Sequence, residues 1–337
     1  MSGREFYAQD ASACASWRLA VLMGANSRTY KFALGQALLE FGRAGREGVP
    51  VAEFAAAYSL GLVRHLAGDP QAPHAQERGE KDFLTVAEQE SAATLESGCP
   101  TERLLAAAVR SMPAMVMQKF HNLRSDTAVP HTFYELAGRG SQRMVRLTPD
   151  LLQLAQSEHA TSLAAELEAR WSIVESSFAV GIGRSLLDEG VAVDWDTLKI
   201  TDKHRRRSVT GIIEATTGFQ HGRCLICTDI LTPSDATAVD HVFPFALMHR
   251  FAGVGAWRGP DLDALWNLAP THATCNAAKS DRQPTQAELA RLAARNEAIM
   301  NSPHPLRRTL QLSLQNALPR QAAASWAQLL QAVRATL

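Results

Sequence analysis

The sequence predicts a mainly α-helical protein with a compact, irregular module embedded in its second half. Three observations indicate this organisation. Apolar residues recur at spacings of three and four through most of residues 1–200, as on one face of an α-helix. From Cys224 to Arg282 this period is lost, and cysteine, histidine, aspartate and proline become frequent. Helical spacing returns after Pro284.

The N-terminal helices are predicted from apolar spacing and from signals at their ends. Helices are expected at residues 28–46, 51–66, 101–120 and 149–180. Pro113 should kink or end the third of these, because proline lacks an amide proton. Thr148 is expected to cap the fourth, which has Pro149 in its first position. Residues 68–82, with two prolines and two glycines, are predicted to form a loop, and Met144–Leu147 a short strand.

The second half contains shorter predicted helices on both sides of the irregular module. One is expected at residues 208–219, and three more at residues 286–300, 305–317 and 322–336. We therefore divide the chain into a helical accessory or recognition region over residues 1–200, a module over residues 205–285 and C-terminal helices over residues 286–337.

Composition restricts the class of protein. The chain has 337 residues, of which 46% are hydrophobic and 20% charged, as in a globular protein with a buried core. Lys+Arg and Asp+Glu are both 34, so no bulk electrostatic attraction to nucleic acid or an anionic membrane is expected, although a local basic patch is compatible with this balance. No apolar run approaches the ~20 residues that span a bilayer, and the N-terminus lacks the pattern of a secretory signal. We expect a cytoplasmic protein with no membrane contact.

Two pairs of potential metal ligands are the most informative feature of the module. Cys224 and Cys227 form one pair, His272 and Cys275 the other, each with two intervening residues. Two such pairs, tens of residues apart, are typical of a closed structural zinc site with four protein ligands. The alternatives are that these are small core residues, or that His272 turns toward a catalytic metal instead.

A second set of residues has the chemistry that phosphodiester hydrolysis requires. Asp240 offers a carboxylate oxygen and Asn276 an amide oxygen, ligands that suit Mg²⁺ or Mn²⁺. His241, with an ordinary histidine pKa near ~6.5, is suited to take a proton from an attacking water, so activity should fall as pH drops through that value. Lys279 follows Asn276 by one helical turn and is predicted to contact a phosphate.

The order of these residues resembles the motif of the HNH endonucleases, specifically the subgroup whose ββα-metal core is held by a zinc site. The matching elements are Asp240-His241-x-x-Pro244, Asn267-Leu268 and His272-x-x-Cys275-Asn276-x-x-Lys279-Ser280-Asp281. The resemblance covers only about residues 224–282. It implies a mainly α fold with an embedded ββα-metal module, catalysis by His241 and a positioning role for Asn267, which would hydrogen-bond the loop that holds the histidine. Asn276 stands where the family name has its second histidine, as in many members.

The resemblance also implies an insertion, because residues 242–266 form a longer connection than compact members have; we place it around residues 253–263. Further candidates for contact with nucleic acid are the basic run from Lys203 to Arg207, His249, Trp257, Arg258, Trp266 and Arg282. The alternative for the basic run is a solvated helix entry, and for the tryptophans burial in the small module.

The function predicted from the sequence is a metal-dependent endonuclease that hydrolyses DNA, in bacterial restriction or anti-phage defence. Its predicted partner is double-stranded DNA, with a homodimer or a protein partner engaged through the N-terminal helical region. The defence role is an analogy with families that attach such modules to accessory domains. Two alternatives are a non-catalytic zinc-containing module that binds nucleic acid, and an effector nuclease held inactive until a partner or ligand binds.

Overall fold

The structure is a computed structural model, and it describes residues 10–24, 28–73, 78–123, 128–179, 192–194, 199–201, 212–245, 247, 260–317 and 325–336. The described residues divide into two compact units, residues 10–179 and residues 192–336. The helices after the irregular module therefore belong to the same unit as the module itself. Within the described ranges, no helix combines the length and the apolar character needed to cross a membrane.

The first unit is a set of helices packed around a small antiparallel sheet. Its helices are α1 (Ala13–Arg18), α2 (Tyr30–Arg43), α3 (Val51–Leu66), α4 (Phe83–Ser97), α5 (Glu102–Ser111), α6 (Pro149–Gln156) and α7 (Ala160–Ala179). Its strands are β1 (Gly48–Pro50), β2 (Tyr134–Ala137) and β3 (Met144–Leu147), in the order β1-β3-β2. The apolar faces of α2 and α3 supply much of the core, in which Phe32, Leu38 and Phe54 have no exposed surface.

The predicted helices over residues 28–46 and 51–66 and the strand Met144–Leu147 are confirmed. The helix predicted over residues 101–120 ends at Ser111, two residues before the proline that was expected to interrupt it. The helix α4 was not predicted. Asp82 caps its first turn, because the Asp82 side chain accepts a hydrogen bond from the Leu84 amide at 2.9 Å.

The prediction of one continuous helix over residues 149–180 is wrong, because the chain forms two helices there. Thr148 caps the first as expected, and Pro149 opens it. Ser157 then has an extended backbone (φ −75°, ψ 165°), and its hydroxyl donates to the Leu154 carbonyl at 2.7 Å. This local bond offers the backbone an alternative to another helical turn, as serine often does at helix ends.

A partly buried imidazole lies between two carboxylates in the first unit. The ring of His65 stacks on Trp171 with centroids 3.6 Å apart. Its Nε2 lies 3.0 Å from Glu168, and its Nδ1 lies 2.9 Å from Glu175. Burial by itself lowers the pKa of His65, but the hydrogen bonds and charges of the two glutamates raise it overall to about 9.

His65 should therefore stabilise the protein in a pH-dependent way. Because the folded pKa of about 9 exceeds the ordinary value, the stabilisation is complete below about pH 6.5 and is lost as pH rises through 9. We expect His65→Phe, which keeps the stacked ring, to lower the free energy of unfolding by about 1–2 kcal/mol near pH 6. This value allows for screening by solvent, because Glu168 is half exposed. The melting-temperature difference between wild type and variant should shrink toward pH 10; an unchanged difference would contradict this role.

The second unit contains a two-stranded antiparallel sheet followed directly by a helix. Its elements are β4 (Ala192–Asp194), β5 (Lys199–Thr201), α8 (Ile212–Thr216), β6 (Thr237–His241), β7 (Leu268–His272), α9 (Ala273–Lys279), α10 (Gln286–Asn301), α11 (Arg307–Ala317) and α12 (Trp326–Thr336). Strands β6 and β7 pair with Thr237 opposite His272 and His241 opposite Leu268. Helix α9 packs against both strands. The expectation of a mainly α protein is confirmed, and the three C-terminal helices form close to their predicted positions.

Candidate functional site

The two predicted ligand pairs come together in the second unit. The side-chain ligand atoms of Cys224, Cys227, His272 and Cys275 all lie within 4.8 Å of one another. Nδ1 of His272 lies 3.4 Å from the Cys227 sulfur and 3.9 Å from the Cys275 sulfur. A tetrahedral zinc ion, with bonds of about 2.0–2.3 Å, holds its ligand atoms about 3.5–3.8 Å apart. This Cys₃His cluster therefore could hold a metal such as zinc.

The surroundings of the cluster orient its histidine. The second ring nitrogen of His272, Nε2, lies 3.2 Å from the Ile230 carbonyl and 3.6 Å from the Asp235 carboxylate. Metal-binding histidines usually donate their other N–H to such an oxygen, which fixes the ring and its tautomer. Burial and the neighbouring thiols raise the pKa of Cys227 to about 12, so a bound cation would stabilise its thiolate.

Strand β6 presents Asp240 and His241 to opposite sides, because adjacent side chains of a strand alternate. Asp240 is 2% exposed and faces the interior, whereas the side chain of His241 is 27% exposed. The sequence therefore separates a buried carboxylate from a solvent-accessible imidazole within two consecutive residues.

Lys279 holds one oxygen of Asp240. Its ammonium donates to Asp240 Oδ1 and to the backbone carbonyl of His241, both at 2.9 Å. The second carboxylate oxygen, Oδ2, is buried and has no hydrogen-bond partner among the residues that the structure describes. Burial raises the pKa of Asp240 above its ordinary value, and the nearby ammonium offsets only part of that effect.

This arrangement changes the interpretation of Lys279, for which the sequence predicted a phosphate contact. One helical turn does separate it from Asn276, as expected. However, helix α9 packs on β6 so that Lys279 is buried and its ammonium points at Asp240 rather than at solvent. In this structure Lys279 neutralises and positions the carboxylate, and it is not accessible to a substrate phosphate.

Asn276 lies on helix α9 directly after Cys275 and is partly exposed. Its side chain makes no hydrogen bond to the part of the chain that the structure describes, so its amide oxygen is open to a ligand. The helix that carries Asn276 packs against the strand that carries Asp240.

Asn267 is fully buried and ties together two chain segments beside the histidine. Its Oδ1 accepts from the Phe243 amide, and its Nδ2 donates to the carbonyls of Phe243 and Leu262, all at 2.8 Å. Its backbone carbonyl accepts from the Val242 amide at 2.9 Å. The residues that follow His241 are thereby fixed to the segment that precedes β7.

Replacing Asn267 should therefore destabilise the second unit. Asn267→Ala leaves the amide of Phe243 and two buried carbonyls without partners, each at a cost of about 1–3 kcal/mol. We expect a loss of about 3 kcal/mol or more in the free energy of unfolding, measured by urea denaturation. Asn316→Ala, an exposed asparagine of helix α11, is the matched control. Equal stabilities of the two variants would refute this role.

Three residues of helix α10 support the site and were not singled out from the sequence. Arg291 donates to the carbonyls of Leu225 and Ile226, between the two cysteines of the first pair, at 2.6 and 2.9 Å. Arg295 donates to the carbonyls of residues 265, 266 and 268, and burial lowers its pKa to about 9. Asn296 donates to the Trp266 carbonyl at 2.9 Å. Helix α10 thus braces both the metal cluster and the segment around Asn267.

The remaining candidates are placed as follows. Trp266 is 1% exposed and stacks on Trp326 at 6.1 Å, so the alternative of burial in the module holds for this tryptophan. Arg282 is partly exposed and pairs with Glu288 at 2.7 Å. The basic run from Lys203 to Arg207, His249, Trp257 and Arg258 lie outside the described residues, as do residues 253–259 of the implied insertion.

Comparisons with protein-family models, with curated proteins and with solved structures found no match to this chain.

Proposed function

We propose that the protein is a metal-dependent endonuclease of the HNH type that hydrolyses phosphodiester bonds of DNA. One observation carries the proposal. Strand β6, which pairs with β7 and packs against α9, carries a partly exposed imidazole (His241) next to a buried carboxylate (Asp240). One oxygen of that carboxylate has no hydrogen-bond partner among the described residues. Asp240, His241, Asn276 and Lys279 lie on β6 and α9, and this placement supports the proposal.

Asp240 and Asn276 offer oxygen atoms of the kind that suit a hard divalent cation. Asp240 Oδ2 is a buried carboxylate oxygen without a partner among the described residues, and leaving such an atom unpaired is costly. Asn276 would contribute an amide oxygen, and Mg²⁺ and Mn²⁺ prefer oxygen ligands of both kinds. When bound, the cation would neutralise charge on the scissile phosphate and on the departing oxygen.

The protein side chains have complementary roles in this proposal. His241, open to solvent on one side, accepts the proton of the attacking water. Lys279 holds the Asp240 carboxylate through Oδ1, which leaves Oδ2 for the cation. Asn267 fixes the residues that follow His241 to the segment at Leu262, so that the base is already oriented before the substrate arrives.

The Cys₃His cluster, as a zinc site, would have a structural role. All four ligand positions are supplied by the protein, which leaves no position for a reacting water. His272 ends strand β7 and Cys275 precedes Asn276 on α9, so a metal here would fix the helix that carries Asn276. The cluster would thereby determine where the amide ligand of the catalytic cation lies.

The biological setting that we propose is bacterial restriction or anti-phage defence, with the first unit recognising a signal, a DNA feature or a second copy of the chain. This part rests on analogy with nucleases that carry accessory domains. A double-strand cut normally needs two such sites, which is why a homodimer is part of the proposal.

A plasmid-nicking assay tests the function. Purified protein is incubated with supercoiled double-stranded DNA and Mg²⁺ or Mn²⁺, with and without EDTA added to chelate the cation. We expect nicked or linear DNA only when free cation is present. Tight DNA binding with no cutting under any condition would contradict the proposal and favour the non-catalytic binding module. Cutting that appears only after a cell extract or nucleotide is added would favour the effector held inactive.

A further inference from the structure

We infer that Asp263 positions His241 by accepting a hydrogen bond from its Nε2–H group, so that Nδ1 presents its lone pair to the attacking water. The inference rests on the proposed function and adds a positioning residue that lies outside the motif resembling the HNH family. It assigns a role to a carboxylate that sequence spacing alone would not single out.

The contact itself defines which atoms take part. Nε2 of His241 lies 3.0 Å from Asp263 Oδ1. An ionised carboxylate can only accept hydrogen bonds, so Nε2 must carry the proton when this bond forms. In a neutral imidazole the other nitrogen, Nδ1, is then the acceptor. The geometry therefore selects one of two tautomers, the one that leaves Nδ1 free to act as a base.

The turn that carries Asp263 is held in place by several bonds. The Asp263 amide donates to Asp261 Oδ1 at 2.9 Å, and Leu262 is fully buried. Asn267 Nδ2 donates to the Leu262 carbonyl at 2.8 Å, and the Asn267 amide donates to the Ala264 carbonyl at 2.9 Å. The backbone on both sides of Asp263 is therefore fixed, although its side chain is 54% exposed.

Asn267 also fixes the segment that carries His241. Asn267 also bonds both the amide and the carbonyl of Phe243, two residues after His241. One side chain thus determines the separation between the segment of the imidazole and the segment of the carboxylate. Because Asn267 bonds both segments, the contact between Asp263 and His241 is supported by the buried structure beneath it.

The contact adds little to stability, because exposed pairs of this type contribute about 0–1 kcal/mol. Its effect should instead appear in the chemical step, where misplacing a base by about 1 Å costs up to ~100-fold in rate. This difference between a small effect on stability and a large effect on rate separates a positioning role from an ordinary surface ion pair.

The test uses the full chain with Asp263→Ala, the conservative Asp263→Glu and, as a control, Asp229→Asn, an exposed carboxylate of the same unit. We expect Asp263→Ala to lower kcat about 10- to 100-fold with KM changed less than about 2-fold. Asp263→Glu should restore part of kcat, and Asp229→Asn should behave as wild type. Melting temperatures should agree within a few degrees.

Nuclear magnetic resonance of histidine labelled with ¹⁵N gives a readout that does not depend on activity. The His241 signal, identified by its absence in His241→Ala, should report the Nε2–H tautomer in wild type and a mixture of both tautomers in Asp263→Ala, with the two proteins compared at the same pH. If Asp263→Ala leaves the tautomer unchanged, or leaves kcat unchanged while His241→Ala abolishes cleavage, the inference is overturned. If wild type cleaves nothing, the proposed function fails, and the tautomer still decides whether Asp263 orients the ring.

Discussion

His241→Ala should lower the rate of DNA cleavage about 100- to 10,000-fold, the range typical for loss of a general base. The imidazole is the one proton acceptor that strand β6 presents to solvent next to Asp240. Its replacement leaves the pairing of β6 with β7, the bonds of Asn267 and the metal cluster intact. DNA affinity, metal content and melting temperature should therefore stay close to wild type while the rate falls.

Chemical rescue provides the control for this variant. Alanine leaves a partly exposed space in place of the ring, and added imidazole can enter it from solvent. We expect millimolar imidazole to restore part of the activity of His241→Ala and to have no such effect on wild type. Equal cleavage by wild type and His241→Ala would mean that another group is the base or that a contaminating nuclease cuts the DNA.

Cys224→Ser should remove most of the bound zinc and destabilise the second unit. We expect about one tightly held zinc per wild-type chain, measured by mass spectrometry, because the cluster has the four ligands of one tetrahedral site. Structural zinc supplies a large share of the folding free energy of small modules. The variant should therefore melt about 10 °C or more below wild type, which corresponds to about 2–5 kcal/mol.

Cys99→Ser is the matched control for the zinc ligand. Cys99 is exposed and belongs to the first unit, so its loss should change neither zinc content nor melting temperature. If the wild-type protein contains no zinc and melts at the same temperature with or without a chelator, the structural metal site is refuted.

Local spacing was sufficient to predict that four potential metal ligands come together. Two residues between Cys224 and Cys227, and between His272 and Cys275, allow each pair to converge from one short turn, and the two turns do meet. The neighbouring chemistry was less predictable. Spacing correctly placed Lys279 one turn after Asn276, but only the packing of α9 on β6 decides that its ammonium is buried against Asp240.

Contacts between distant segments could not be predicted from the sequence. Asp263 reaches His241, 22 residues away, and Arg295 reaches the Leu268 carbonyl, 27 residues away, because the fold brings these segments together. No local period encodes such pairs. In the first unit, apolar periodicity predicted the helix Val51–Leu66 with its observed bounds. The interruption of the helix at Ser157 accompanies a hydrogen bond from the serine hydroxyl, which an apolar pattern does not reveal.

The central claim is that Asp240 binds the cation that makes this chain a nuclease. The most direct measurement is the plasmid cleavage rate as a function of Mn²⁺ concentration, for wild type and for Asp240→Asn, with zinc content and melting temperature checked in both. We predict a rate that rises and saturates with Mn²⁺ in wild type, and a rate at least ~100-fold lower in the variant. Wild type that cuts no DNA at any Mn²⁺ concentration, or two proteins with the same Mn²⁺ dependence, would contradict the claim.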